Sequence, residues 1–152
     1  LSLPKVRGMT DGDLRSIFRK HLPRADWLSV ETGLTEQGVP DMNGCLSGVE
    51  FWLENKITHG WTVPLRPAQV GWIQRRCRSG GRVFIAVRRQ APPAKRQQQS
   101  VGADELWLIH GAYATIAKAD GLRGLPEGSV AGTWKNGPAK WSWAEIEAAL
   151  TK

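Results

Sequence analysis

A chain of 152 residues with 41% apolar content has room for one domain with its own core and is too apolar for global disorder. A formal charge of +7 and a pI near 9.9 favour a polyanionic partner, most simply nucleic acid, over the plainer reading that the charge only aids solubility. Cys45 and Cys77 are too few for a disulfide framework and carry no metal-ligand pattern around them, so they read as buried or half-buried free thiols.

Taken in chain order, residues 1–9 read as a loose arm. Thr10 and Asp13 fit a helix N-cap signature, and Leu14, Ile17, Phe18 and Leu22 recur at helical spacing, which predicts a helix over about 11–21 ended by Pro23. Residues 27–31 (WLSVE) predict a strand. Residues 39–42 predict a second, with Asn43-Gly44 as a tight turn after it. Residues 49–57 form the strongest strand of the chain. A helix is predicted to open near Arg66-Pro67 and to end at Gly80-Gly81, with Val70, Ile73 and Cys77 as its apolar stripe. Residues 82–87 (RVFIAV) predict a buried strand, so the segment from 49 to 87 has the βαβ pattern.

Residues 88–102 (RRQAPPAKRQQQSVG) read as a mobile basic loop. Residues 105–109 predict another strand and 112–119 a short helix. Gly and Pro punctuate 121–138. Ser142 with Glu145 opens a last helix containing Trp143, Ile146 and Leu150. No run approaches the roughly 18 apolar residues of a membrane span. The first residues lack a charged n-region followed by an apolar stretch, so a soluble, cytoplasmic protein without a leader peptide is expected. One domain over 1–152 is expected, with its core at about 10–110 and a Trp-rich extension over 111–152.

The strand at 49–57 carries the unusual chemistry. Side chains alternate faces along a strand, so Glu50, Trp52, Glu54 and Lys56 share one face and Phe51, Leu53, Asn55 and Ile57 the other. If the strand at 39–42 pairs back across a turn at 43–48, Asp41 approaches Glu54. Two neighbouring carboxylates repel unless a cation sits between them, and they are oxygen ligands of the kind Mg²⁺ prefers. Lys56 beside such an ion is placed to orient or deprotonate an attacking water, or to stabilise charge on a pentavalent phosphate. Glu50 reads as peripheral and exposed, and Asn55 as structural. The plainer alternative is an intrastrand Glu54–Lys56 ion pair on a wet sheet face, of a type worth little.

Pro40-Asp41 followed by Glu54-Asn55-Lys56 resembles the PD-(D/E)xK nuclease pattern. The longer string, GVPD, a hairpin, EFWLENK, then LRPAQVGWIQRRCRSGGRVFIAV, is similar to the VRR-NUC branch and to phage and archaeal junction-resolving nucleases. The resemblance covers about residues 10–90. It implies an α/β (α+β) fold with a restriction-endonuclease-like αβββαβ core, a mixed central sheet flanked by helices. It implies Asp41, Glu54, Lys56 and Gln69 as catalytic residues, with Gln69 near a bound water, the lysine or the scissile phosphate. It implies Mg²⁺, with Mn²⁺ as a substitute, held by Asp41, Glu54 and an upstream acid, for which Glu31 is the candidate and Asp13 the rival. No small-molecule cofactor is implied.

The resemblance points to a DNA endonuclease selective for branched DNA such as Holliday junctions, acting as a homodimer whose two sites make two symmetric cuts. Together with the small size of the chain it also suggests a phage or mobile-element origin. The alternatives are a sequence-specific restriction-type or homing endonuclease that reads DNA with the 88–102 loop, and a non-catalytic nucleic-acid-binding module. Arg66, Arg75 and Arg76 on the helix after the motif, with Arg78 nearby, and Arg88, Arg89, Lys95 and Arg96 beyond the next strand form the expected DNA-phosphate contacts. Loop residues His59, Trp61 and Thr62 are placed to touch the backbone or cover the site. Trp27, Trp52 and Trp107 are expected in the core, while Trp134, Trp141 and Trp143 either seal it or form a dimer patch.

Overall fold

The computed structural model describes residues 11–30, 37–90 and 104–152. Helix α1 (Asp11–His21) is followed by strands β1 (Asp26–Ser29), β2 (Met42–Leu46) and β3 (Val49–Thr58), helix α2 (Pro67–Arg78) and strand β4 (Val83–Arg89). Then come β5 (Glu105–His110), α3 (Ala114–Asp120), β6 (Val130–Trp134) and α4 (Trp143–Thr151). The strands form one sheet in sequence order, β1 to β6. Among the described residues only β3 and β4 run parallel; every other neighbouring pair is antiparallel. That exception follows from α2, which carries the chain back across the sheet as a βαβ crossover must. The architecture is the mixed sheet flanked by helices that the sequence implied.

Period-2 alternation divides the core between the two faces. Phe51, Leu53, Phe84, Ala86, Leu106 and Leu108 point to the side covered by α1 and α4, where they pack on Leu14, Phe18, Ile146 and Leu150. Ile85, Val87 and Ile109 point to the other side, against Trp72 and Ile73 of α2 and Ala114 and Ala117 of α3. Glu54 and Lys56 stand on this second side. Trp134 and Trp141 are buried in the first core, and Trp143 stacks on His21 and meets Phe18 edge-on. The C-terminal tryptophans therefore seal the core of their own chain. Trp27 packs against the same core, whereas Trp52 and Trp107 are half-buried beside the second. Among the described residues no helix is long and apolar enough to cross a membrane.

Three expectations are corrected. First, the turn expected at Asn43-Gly44 lies at Ser47-Gly48, and residues 42–46 are the strand. Leu46 pairs with Val49, and both turn residues have positive φ (54° and 78°), the conformation of a two-residue type I′ hairpin. Gly44 is instead a packing glycine. A Cβ on it would lie 2.7 Å from the Phe51 ring and 2.8 Å from that of Trp27. Gly44→Ala is expected to lower stability by about 1–3 kcal/mol through overpacking, read as a lower urea midpoint at unchanged m-value.

Second, β4 runs two residues further than expected, so Arg88 and Arg89 are strand residues. Arg88 points into the α4 side, is buried, and donates from Nε (2.9 Å) and Nη2 (2.7 Å) to the two carboxylate oxygens of Asp104. Its guanidinium also lies over Trp141. Burial and this bidentate pairing remove Arg88 from the cations open to a phosphate. Third, Cys45 is exposed, because its position on β2 faces away from the core, while Cys77 is half-buried. Strand β6 lies inside a segment that the sequence showed only as punctuated by Gly and Pro. Lys95 and Arg96 lie outside the described residues, as does most of the basic loop expected at 88–102.

Candidate active site

The local sequence explains how Asp41 is delivered. Pro40 has no N–H to donate and fits just before a strand begins. Gly38, with φ 86°, lets the backbone lie against the first turn of α2, where a Cβ would meet the Ala68 carbonyl oxygen at 2.0 Å. The β2–β3 register, Met42 against Leu53, then brings Asp41 level with Glu54. Asp41 is fixed from two sides. Its carbonyl accepts the Val30 N–H at 2.9 Å, and its Oδ1 accepts the Asn55 N–H at 3.0 Å. A side-chain oxygen thus extends the ladder by one bond at the point where β2 begins.

Glu54 is 3% exposed and Lys56 8%. A buried acid and a buried amine need partners, and they find each other: Lys56 Nζ lies 3.3 Å from Glu54 Oε2. The same oxygen accepts the Gln69 Nε2–H at 3.1 Å. Gln69 is the third residue of α2, and its Oε1 accepts the Arg66 N–H at 2.9 Å as half of a capping box. The cap fixes the orientation of the amide. With its oxygen held by Arg66, its nitrogen must face Glu54. The wet-face ion pair therefore does not describe this site, which is buried and has a third member.

Arg15 completes the arrangement, a residue that the sequence reading did not single out. It comes from α1, on the opposite side of the sheet, and its Nη1 lies 3.8 Å from Asp41 Oδ2. The only available signal was its place beside buried Leu14, which sets it at the rim of the apolar stripe. Arg15, Asp41, Glu54, Lys56, Arg66 and Gln69, with Val39, line one cleft of about 240 Å³. Three cations against two carboxylates leave it one positive charge in excess, which suits a phosphodiester.

Among the described residues no cluster of three or more His, Cys, Asp or Glu side chains forms a ready-made cation cage. Two carboxylates opening on a water-accessible cleft nevertheless fit Mg²⁺, which takes one or two protein carboxylates and keeps waters and substrate phosphate oxygens for the rest. Glu31 and the Asp13 side chain, the two candidates for a third ligand, lie outside the described residues. Glu50 is exposed. Asn55 faces the α1 side, fully buried, and among the described residues neither atom of its side-chain amide has a hydrogen-bond partner.

Arg66, Arg75, Arg76 and Arg78 are exposed along α2, with the Arg76 guanidinium 4.6 Å from the centre of the Trp72 ring. Arg89 is half-buried on the cleft side of the sheet. Away from the cleft, burial raises the pKa of Cys77, and burial followed by the Arg82 charge lowers that of His110, so the thiol stays protonated and the imidazole neutral near pH 7.

No family model matches the sequence, and no curated protein matches it. Among solved structures, Archaeoglobus fulgidus Hjc, a Holliday junction resolvase from an archaeal hyperthermophile, is similar at a TM-score of 0.50 and 13% identity. The match covers 90% of this chain and 96% of that one, so it reaches well past the residues that carry the sequence motifs. At this identity the likeness is one of fold: the chain has the mixed-sheet α+β fold of that resolvase.

Proposed function

We propose that the chain is a metal-dependent DNA endonuclease of the PD-(D/E)xK type, selective for branched DNA such as Holliday junctions. The observation that carries this reading is the convergence of Lys56 and Gln69 on Glu54, level with Asp41, in one positively charged cleft. The resolvase fold supports it.

In this reading Asp41 and Glu54 hold Mg²⁺, or Mn²⁺ in its place, and Glu31 is a candidate further ligand. When bound, the ion polarises the phosphoryl oxygen and lowers the pKa of water. Lys56 orients the attacking water and offsets the charge that develops on the phosphate. Gln69 holds Glu54 in place through its amide nitrogen while the Arg66 N–H at the start of α2 holds its amide oxygen, so the acid keeps its position as charge shifts nearby. Arg66, Arg75 and Arg76 bind flanking phosphates, while Arg89 is paired with Glu105. Two symmetric cuts on one junction require two such clefts, which a homodimer supplies.

The test is cleavage of labelled four-way junctions and of the matched linear duplexes in Mg²⁺. The expected result is cutting of junctions in preference to duplexes of any sequence. Equal cutting of both sinks selectivity for branches, and no cutting in Mg²⁺ or Mn²⁺ sinks the nuclease.

A further inference from the structure

Trp61, in the segment that follows β3, is held between two arginines. The central guanidinium carbon of Arg89 lies 3.6 Å from the middle of its ring, and that of Arg123 lies 4.0 Å away. Carbons in van der Waals contact need about 3.5–4.0 Å between them, so two guanidiniums this close to one ring must occupy opposite faces.

Each half of the stack is anchored. The Trp61 carbonyl accepts the Leu122 N–H at 2.7 Å, which ties the turn that carries Arg123 to the segment that carries Trp61. Gly121, with φ 72°, permits the approach, since a Cβ there would lie 2.5 Å from that carbonyl oxygen. On the other face, Arg89 donates to the Gly60 carbonyl at 3.0 Å and to Glu105 Oε1 at 3.3 Å. Glu105 also accepts the Trp107 indole N–H at 2.8 Å, and the Trp107 ring meets Trp61 edge-on.

The charges of the two arginines are balanced differently. Arg89 has Glu105. Arg123 is exposed, and among the described residues no carboxylate forms an ion pair with it. A guanidinium lying flat on a ring keeps its N–H donors at the edge, in the fork geometry that suits a phosphate. The stack also limits its rotamers before any ligand arrives, which lowers the entropic cost of binding.

The location fits the same substrate as the cleft. The β3–β4 register sets Lys56 against Val87 and Thr58 against Arg89. Arg89 therefore shares the sheet side of Lys56, one strand over and two residues further on, about 8 Å away by strand spacing.

We propose that Arg123, braced on Trp61 and backed by Arg89, is a phosphate-binding clamp that grips nucleic-acid backbone flanking the cleft. The proposal rests on the nuclease reading for its substrate but makes a separate prediction about binding. It is tested by fluorescence anisotropy of labelled junctions and duplexes titrated with salt, alongside cleavage by the unaltered chain.

Arg123→Ala is expected to weaken binding equally across duplex sequences and to reduce the slope of log Kobs against log salt by about 1. Arg123→Lys should restore the slope but only part of the affinity, because an ammonium lacks the planar fork. Arg123 is exposed, so the variants should fold, which circular dichroism checks. An unchanged slope and Kd in Arg123→Ala overturns the clamp, and wild-type cleavage would leave the nuclease reading standing. A reduced slope in a protein that never cuts supports the clamp and overturns the nuclease alone.

Discussion

Glu54→Gln is expected to lower Mg²⁺-dependent junction cleavage by about 1,000-fold or more while leaving junction binding within a few fold. Glu54 is the acid on which the site converges, contacted by both Lys56 and Gln69. Glutamine keeps its shape and can still accept the Gln69 N–H, but it removes the negative charge. That loss should weaken metal binding and leave the Lys56 ammonium buried beside a neutral amide. Breaking a buried ion pair from one side costs about 3–5 kcal/mol, so the single variant is expected to be less stable in urea. The double variant Glu54→Gln/Lys56→Met removes both charges and should recover most of that stability without recovering cleavage. This contrast separates a fold defect from a chemical one. Single-turnover cleavage by Glu54→Gln within tenfold of wild type would show that Glu54 is not the essential acid.

Gly38→Ala should combine a stability loss of about 3 kcal/mol or more with a loss of cleavage, although residue 38 carries no chemistry. Its positive φ disfavours any side chain, and the atom a methyl would strike is the backbone oxygen of Ala68, which cannot swing aside. Relief requires the 38–41 segment to move off α2. Asp41 would then leave the level of Glu54, and the first turn of α2, which carries Gln69, would shift with it. The comparison is Gly48→Ala, at a glycine with similar φ and open space around it. That variant should lose only the stability attributable to φ and should keep cleavage. Equal behaviour of the two in urea and in cleavage would show that close packing at Gly38 does not position the site.

Much of this arrangement was legible in the sequence because strand alternation is a strict rule. Glu54 and Lys56 had to share a face, the βαβ pattern called for a helix between the two parallel strands, and the family resemblance put Gln69 of that helix near them. What escaped was decided by contacts between segments distant in the chain. Asn43-Gly44 has the strongest local turn signal in its region, yet the Phe51 and Trp27 rings claim the space above Gly44 and push the turn on to Ser47-Gly48. The pair Arg88-Arg89 reads locally as the start of a basic loop. Asp104, sixteen residues on, neutralises Arg88 and lets the strand continue. Arg15 was not singled out, since nothing near it in sequence says that α1 sets it beside Asp41. β6 was hidden because its pairing with β5, and not its own composition, makes it a strand.

The side-chain amide of Gln69 divides its two ends between the start of a helix and an acid of the cleft. Fraying of the first turn of α2 and dispersal of the side chains that line the cleft should therefore be one event. The Arg66 amide hydrogen, held by the Gln69 oxygen, becomes a reporter of that event. Its exchange rate with deuterated solvent measures how often the resting molecule takes its own site apart, and a ligand that gathers Asp41 and Glu54 should slow that exchange in proportion to its affinity.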